Sequence, residues 1–227
     1  MPATLPEIDI HPSDVFKAIC PDFIGAALSA EVRNSPTSPM LWEEIRACGN
    51  ELRTRFTTET VKLRSGILAT RSAYKAAGKD PSRYRPACEQ LARRILQGKD
   101  LYSIDTLVDI GNLVSLQSGY STAALDADKI EGDLLHLDLG MKDEPYEGIG
   151  RGKLNIEHLP VYRDRRGGIA TPTSDSVRTM ISPSTTRLLL LINGYDGSKD
   201  RLEAAVRFAQ ELLCRHAGSN GGHYHFY

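Results

Sequence analysis

The chain has 227 residues, of which 41% are hydrophobic and 25% charged, and a formal net charge of -1. That is enough apolar material for one domain with a substantial core and helical decoration, spanning residues 1–227. No apolar run approaches the roughly 20 residues of a membrane-spanning helix, and Met1–Asp9 lacks the basic start and apolar core of a signal peptide, so a cytoplasmic location is expected.

A short helical turn is expected to start at Ser13 or Asp14, followed by a buried strand over Phe23–Val32. Ser38-Pro39, an N-cap and first-turn pair, announces a helix carrying Leu41, Trp42, Ile45, Cys48 and Leu52 at spacings of three and four. Gly78, Pro81 and Pro86 forbid a continuous helix through Ala76–Pro86, which reads as a loop. Cys88, Leu91, Ala92, Ile95 and Leu96 mark one face of a short helix that Gly98 stops, and a further helix is expected over Thr106–Gln117. Asp133–Leu139, Leu154–Ile156, Leu159–Tyr162, Val177–Ile181 and Arg187–Asn193 are strand candidates punctuated by Gly and Pro. Ser198 is a candidate N-cap for a final helix with a stripe of Leu202, Ala205, Val206, Ala209, Leu212 and Leu213, which Gly218 is expected to stop. The chain thus divides into a helical and strand portion (1–100), a core (101–193) and a C-terminal helix with tail (194–227). Strands that do not alternate regularly with helices indicate an α+β layered domain, a mixed sheet flanked by helices, rather than a doubly wound α/β fold.

Charge is uneven along the chain. Lys62–Lys99 holds ten Lys and Arg against Asp80 and Glu89, whereas Asp100–Glu147 holds eleven acids against Lys129 and Lys142. One reading is a basic face for a polyanion, carried by Arg71, Lys75, Lys79, Arg83, Arg85, Arg93 and Arg94; the other is mutual neutralisation of the two segments. Cys20, Cys48, Cys88 and Cys214 are widely spread and form no C-x-x-C, so buried or half-buried thiols are expected rather than a zinc site or disulfide framework.

Ser103-Ile-Asp-Thr-Leu-Val-Asp-Ile-Gly-Asn112 runs on to Gly119, and is followed by Leu125-Asp126 and Asp128-Lys-Ile-Glu-Gly132, then Gly167-Gly168 and the apolar run at Leu188. In this order they resemble the B3/B4 domain of the bacterial phenylalanyl-tRNA synthetase beta subunit, over roughly Glu89 to Asn193, and in particular its free-standing relatives. The resemblance implies a layered fold, tRNA as partner, no cofactor and no metal, and hydrolysis of an amino acid wrongly esterified to tRNA, by water and without a serine or cysteine nucleophile. It carries Asn112 over as the pocket asparagine, whose amide can donate and accept, and Gly167 and Gly168 as glycines that let a ligand approach closely. The alternative for Asn112 is a helix-surface or capping amide. The histidine and glutamate of the synthetase domain fall on Ala123 and Leu191, which leaves a non-catalytic amino-acid, RNA or protein binding module as the second functional reading.

Thr171-Pro-Thr-Ser-Asp-Ser-Val-Arg-Thr179 concentrates hydroxyls, a carboxylate and a guanidinium at one turn. Arg178 is suited to hold a carboxylate or phosphate, Asp175 to accept an ammonium, and Thr171, Thr173 and Ser176 to line the same pocket. Asn112, Asp175 and Arg178 form the candidate catalytic set; the structural alternative is an internal Asp175–Arg178 pair pinning the turn. Gly148-Ile-Gly-Arg-Gly152 lacks the lysine and hydroxyl of a P-loop and reads as a turn. The tail from Gly218 to Tyr227, with its His-x-His, reads as mobile or as an aromatic patch docked on a partner.

Overall fold

The structure, a computed structural model, describes residues 8–227, so the reading of Met1–Glu7 lies outside the described residues. β1 (Asp9–Pro12) leads into α1 (Asp14–Ile19), where the Ser13 hydroxyl accepts from Phe16 N at 3.0 Å as an N-cap. β2 (Ile24–Glu31) is followed by α2 (Pro39–Arg55), which starts on the expected Ser38-Pro39 pair and buries Leu41, Ile45, Cys48 and Leu52. α3 (Ser65–Ala76) was not foreseen: it has no side-chain N-cap and carries Gly66 in its first turn, so local start signals are missing. Close packing holds it instead, since a Cβ at Gly66 would come within 2.8 Å of the Gly119 carbonyl oxygen.

α4 (Ala87–Leu96) and α5 (Thr106–Ser118) sit close to their expected places; Asp105 caps α5 by accepting from Val108 N, and Gly119 ends it at φ +81°. The remaining elements are β3 (Ser121–Asp126), β4 (Leu134–Leu139), a hairpin of β5 (Glu147–Gly148) and β6 (Gly152–Lys153), β7 (Pro160–Arg163), β8 (Gly168–Ala170), β9 (Arg187–Gly194), α6 (Lys199–His216) and β10 (His223–Phe226). Leu154–Ile156 is not a strand: Ile156 is fully buried beside Tyr74, Tyr146, Leu159 and Val161. Nor is Val177–Ile181, where the Ser176 hydroxyl accepts from Arg178 N and turns Val177–Thr179 into a single 3-10 turn before Met180 bridges to Leu125.

The fold is α+β in three layers. One sheet has the order β1-β4-β7-β8 and the other β10-β2-β9-β3, with β9 antiparallel to both of its neighbours. Leu188, Leu190 and Ile192 of β9 face a core shared with α2, α4, α5 and α6, whereas Leu189 and Leu191 face a second core between the two sheets. Burial on both faces explains why this strand reads as a continuous apolar run. Among the described residues no helix is long and apolar enough to cross a membrane. Cys20, Cys48 and Cys88 are buried, but Cys214 is exposed on α6, against expectation.

The tail read from sequence as mobile or as an aromatic patch is instead built into the second sheet. β10 pairs antiparallel with β2, and the Tyr227 ring enters the inter-sheet region, its hydroxyl 2.8 Å from that of Tyr162, which donates to Asn193 Oδ1 at 2.6 Å. Gly25 is what admits it, because a Cβ there would be driven into the Tyr227 ring. Gly25→Ala is therefore expected to expel the ring, lower stability by about 1–3 kcal/mol and accelerate hydrogen exchange along β10; unchanged exchange at Tyr227 would contradict this packing.

Candidate functional site

α5 lies across β3, the edge strand, and between them opens a cavity of about 670 Å3. Val108, Gly111 and Asn112 of α5 form one wall, and Thr122 and Ala124 of β3 another. The segment that passes β3 contributes Asp175, Met180 and Ile181, and the mouth is edged by Asn34–Pro36, Ile104 and Ile149. Ile104, Ile149 and Met180 are all exposed, an apolar rim of the sort that binding sites present.

Two polar side chains are available inside. The Asn112 amide makes no hydrogen bond among the described residues and is half-buried at the wall, which excludes a capping role. Asp175 opens on the cavity but is otherwise enclosed by protein; burial pushes its carboxyl well above the ordinary carboxylate range, opposed only by the backbone N–H of Ala124. Among the described residues no cation pairs with it. A carboxyl in that state is a group held ready for a partner or a proton.

The mouth is held by residues that the sequence reading did not single out. Asp109, buried on α5, accepts from Thr37 Oγ1 at 2.5 Å, Ser103 Oγ at 3.3 Å and Ile104 N at 3.3 Å, fastening two rim segments to the helix. Burial raises its pKa although all three donors oppose the shift. Asn34 accepts from Leu107 N and donates to the Ser182 carbonyl, joining the third segment. The signal was present in the sequence as Asp109 within the run from Ser103 to Asn112, but an aspartate in a helix has many uses and spacing did not specify this one.

The other candidate residues lie elsewhere. Arg178 does not pair with Asp175: its guanidinium takes Asp164 bidentately at 2.9 and 2.6 Å and also the Gly167 carbonyl at 3.2 Å. Asp164 is fully enclosed, and though burial would raise its pKa, Arg178 and the backbone amides of Glu131 and Arg166 carry it below the usual range. Gly167, at φ +146°, turns the hairpin between β7 and β8, and Gly168 lies against the Tyr146 ring, so the glycine pair serves packing there and does not border the cavity. The Thr171 hydroxyl accepts from Thr173 N and Ser174 N; Thr173 bonds Tyr74 and the Tyr84 carbonyl; Ser176 caps its turn. These hydroxyls shape the segment that presents Asp175. Ala123 and Leu191 are cross-strand partners in the inter-sheet core, on the face of the sheet away from the cavity.

The basic residues divide in a similar way. Arg71, Arg85 and Arg93 converge on buried Glu89, at 2.8, 3.3 and 4.0 Å, leaving three guanidiniums around one carboxylate. Among the described residues no ion pair joins the 62–99 segment to acids of 100–147, so the expected mutual neutralisation does not occur. Lys79 is buried, donating to the Asn155 and Glu157 carbonyls over the Tyr84 ring, so it cannot lie on a basic face. Lys75 and Arg83 are exposed, and Arg94 stacks on exposed Tyr102 at 4.0 Å. Gln90 donates to the Arg85 and Thr173 carbonyls and accepts from Arg151, so this basic region adjoins the segment carrying Asp175.

Arg178→Ala is expected to cost about 3–5 kcal/mol in urea unfolding, because it strands a buried carboxylate; a residue that served only as a ligand clamp would leave stability unchanged. Asp175 gives the opposite sign. Its folded-state pKa lies above the ordinary value of 3.8, so the stability it confers is complete below that value and is lost as pH rises through the raised pKa. Asp175→Asn should therefore leave the melting temperature nearly unchanged in acid and raise it at about pH 8; equal effects at both pH values would refute the assignment.

The sequence profile of the B3/4 domain matches residues 69–218, more than half of the chain. A search of curated proteins found no match. Among solved structures, an N-terminal fragment of the phenylalanyl-tRNA synthetase beta subunit from Pyrococcus horikoshii is similar, with 12% identity and a TM-score of 0.49 over 99% of this chain. The chain spans 53% of that fragment's length. By the match over residues 69–218, the chain belongs to the B3/4 domain family.

Proposed function

We propose that this B3/4 domain protein acts on tRNA in trans, in the cytoplasm, releasing an amino acid from an aminoacyl ester bound in the cavity under α5. The observation that carries this reading is the presence, in one apolar cavity, of an amide, Asn112, and a carboxyl, Asp175, that have no side-chain partner or counter-ion among the described residues. Asp175 takes the α-ammonium of the aminoacyl group, and Asn112 donates to the ester carbonyl. Water then adds to the carbonyl carbon, the bond to the ribose oxygen breaks, and the water proton ends on that oxygen. Holding the reacting groups in a water-restricted site is the main contribution expected of such a cavity.

The RNA backbone runs over Lys75, Arg83, Arg85 and Arg93, with Arg151 nearest the rim, whereas Arg71 and Lys79 serve the fold. Support comes from the excess of guanidinium over carboxylate at Glu89 and its link through Gln90 to the Asp175 segment. A second reading, a binding module without hydrolysis, comes from the sequence, in which Ala123 and Leu191 fall where the synthetase domain that the chain resembles has its histidine and glutamate; both side chains lie in the inter-sheet core and not in the cavity.

A panel of tRNAs charged with correct and incorrect amino acids tests the proposal. Selective release above the spontaneous rate is expected, falling about 10- to 1000-fold in Asn112→Ala and Asp175→Asn. Since Asp175 must be ionised to hold an ammonium and its pKa is raised, kcat/KM should climb with pH through that pKa, and this limb should vanish in Asp175→Asn. Asp105 across the cavity and Tyr146 beside Asp175 are the other titratable groups facing it. Uniformly spontaneous rates would leave the binding module as the function.

A further inference from the structure

The charges that border the cavity are of one sign. Its wall includes Asp105 and Asp175, and none of the described residues lining it is Lys, Arg or His. Three cations near its lining residues in the sequence are engaged outside it. Lys129 donates to the Met180 carbonyl at 2.7 Å and pairs with Asp126, Arg178 is clamped on Asp164, and Arg151 is bonded to Gln90. Apart from Asn112, the neutral donors Asn34 and Thr122 donate to the Ser182 and Gly111 carbonyls. The rest of the lining is mainly apolar, with Pro36, Val108, Ala124, Ile149, Met180 and Pro183.

We infer that the cavity takes a protonated amine on an apolar body whose carboxyl group is masked as an ester or missing, and that it rejects the free amino acid. The inference rests on reading the cavity as the aminoacyl site, but concerns binding and not hydrolysis. An ammonium entering beside Asp175 supplies the counter-ion that the protein withholds. A zwitterionic amino acid brings the same ammonium together with a carboxylate, which would lose its hydration in an apolar cavity that already holds two acidic side chains and offers no cation. Asn112 can donate to one oxygen of that carboxylate, which suffices for a neutral ester carbonyl and not for an anion.

The same electrostatics has a consequence for turnover. Hydrolysis of a bound ester converts a neutral carbonyl into a carboxylate in place, so the product is repelled by the wall that had attracted the substrate. Free amino acids in the surroundings are then poor competitors, and the site responds to the esterified pool alone.

The test is calorimetric titration of the intact chain with matched sets built on valine, leucine and phenylalanine: the free amino acid, its methyl ester, the corresponding decarboxylated amine and the N-acetylated methyl ester. In at least one set the methyl ester and the amine should bind, and the free acid and the acetylated ester should bind at least about tenfold more weakly. Asp175→Asn should erase the preference for the charged amine. Free acid binding as tightly as ester, acetylated ester binding as tightly as the amine, or no binding in any set would each overturn the inference. Failure of tRNA deacylation together with the expected binding order would remove the hydrolytic reading and leave this one standing.

Discussion

The structure depends on β9 being buried on both faces. Five consecutive apolar residues, Leu188 to Ile192, can be satisfied only if one layer covers each side of the strand, and the helices and the second sheet are those layers. Alternation of side chains then assigns every neighbouring position to one core or the other. Ala123 and Leu191 belong to the inter-sheet core for this reason, whereas Thr122 and Ala124 face the helices and the cavity. A one-residue slip of β3 against β9 would exchange those sets and abolish the site.

The cavity is the place where this layering runs out. Among the described residues β3 has no further strand on its outer side, and instead of a ladder it receives a single bridge between Leu125 and Met180. The passing segment is kept at a distance by its own hydrogen bonds, those of Thr171, Thr173 and Ser176, and by the Arg178–Asp164 clamp behind it. α5 spans the gap from above, and Asp109 and Asn34 fasten the loops at its start. Rigid anchoring around a loosely filled interior is what a site needs if binding is not to be taxed by ordering the protein.

Helix positions with strong local signals were legible in the sequence: Ser38-Pro39 for α2, the Cys88 to Leu96 stripe for α4, and the long stripe of α6. α3 was not, because what holds Gly66 in a helix is Tyr120 and Gly119, distant in sequence. β10 was misread for a similar reason, since Gly222-His-Tyr-His-Phe looks like a tail until β2 is present to pair with it. Of the candidate site, Asn112 and Asp175 were named from sequence and are brought together in the cavity, yet the partner of Arg178 was not foreseeable. Asp175 and Arg178 are neighbours along the chain, and only the β7–β8 hairpin reveals that Asp164 reaches the guanidinium first.

The pairing of β2 with β9 bears on what can be separated from this chain. The residues matched to the B3/4 domain, 69–218, contain β9 and β3 but neither β2 nor β10. Cut to that match, the molecule would present the long apolar strand β9 as an open edge, with the backbone donors and acceptors that face β2 left unpaired along it. The recognisable motif region and the unit that can fold are thus different objects here, and expression of the former by itself would yield a sheet that seeks its missing strand in other copies.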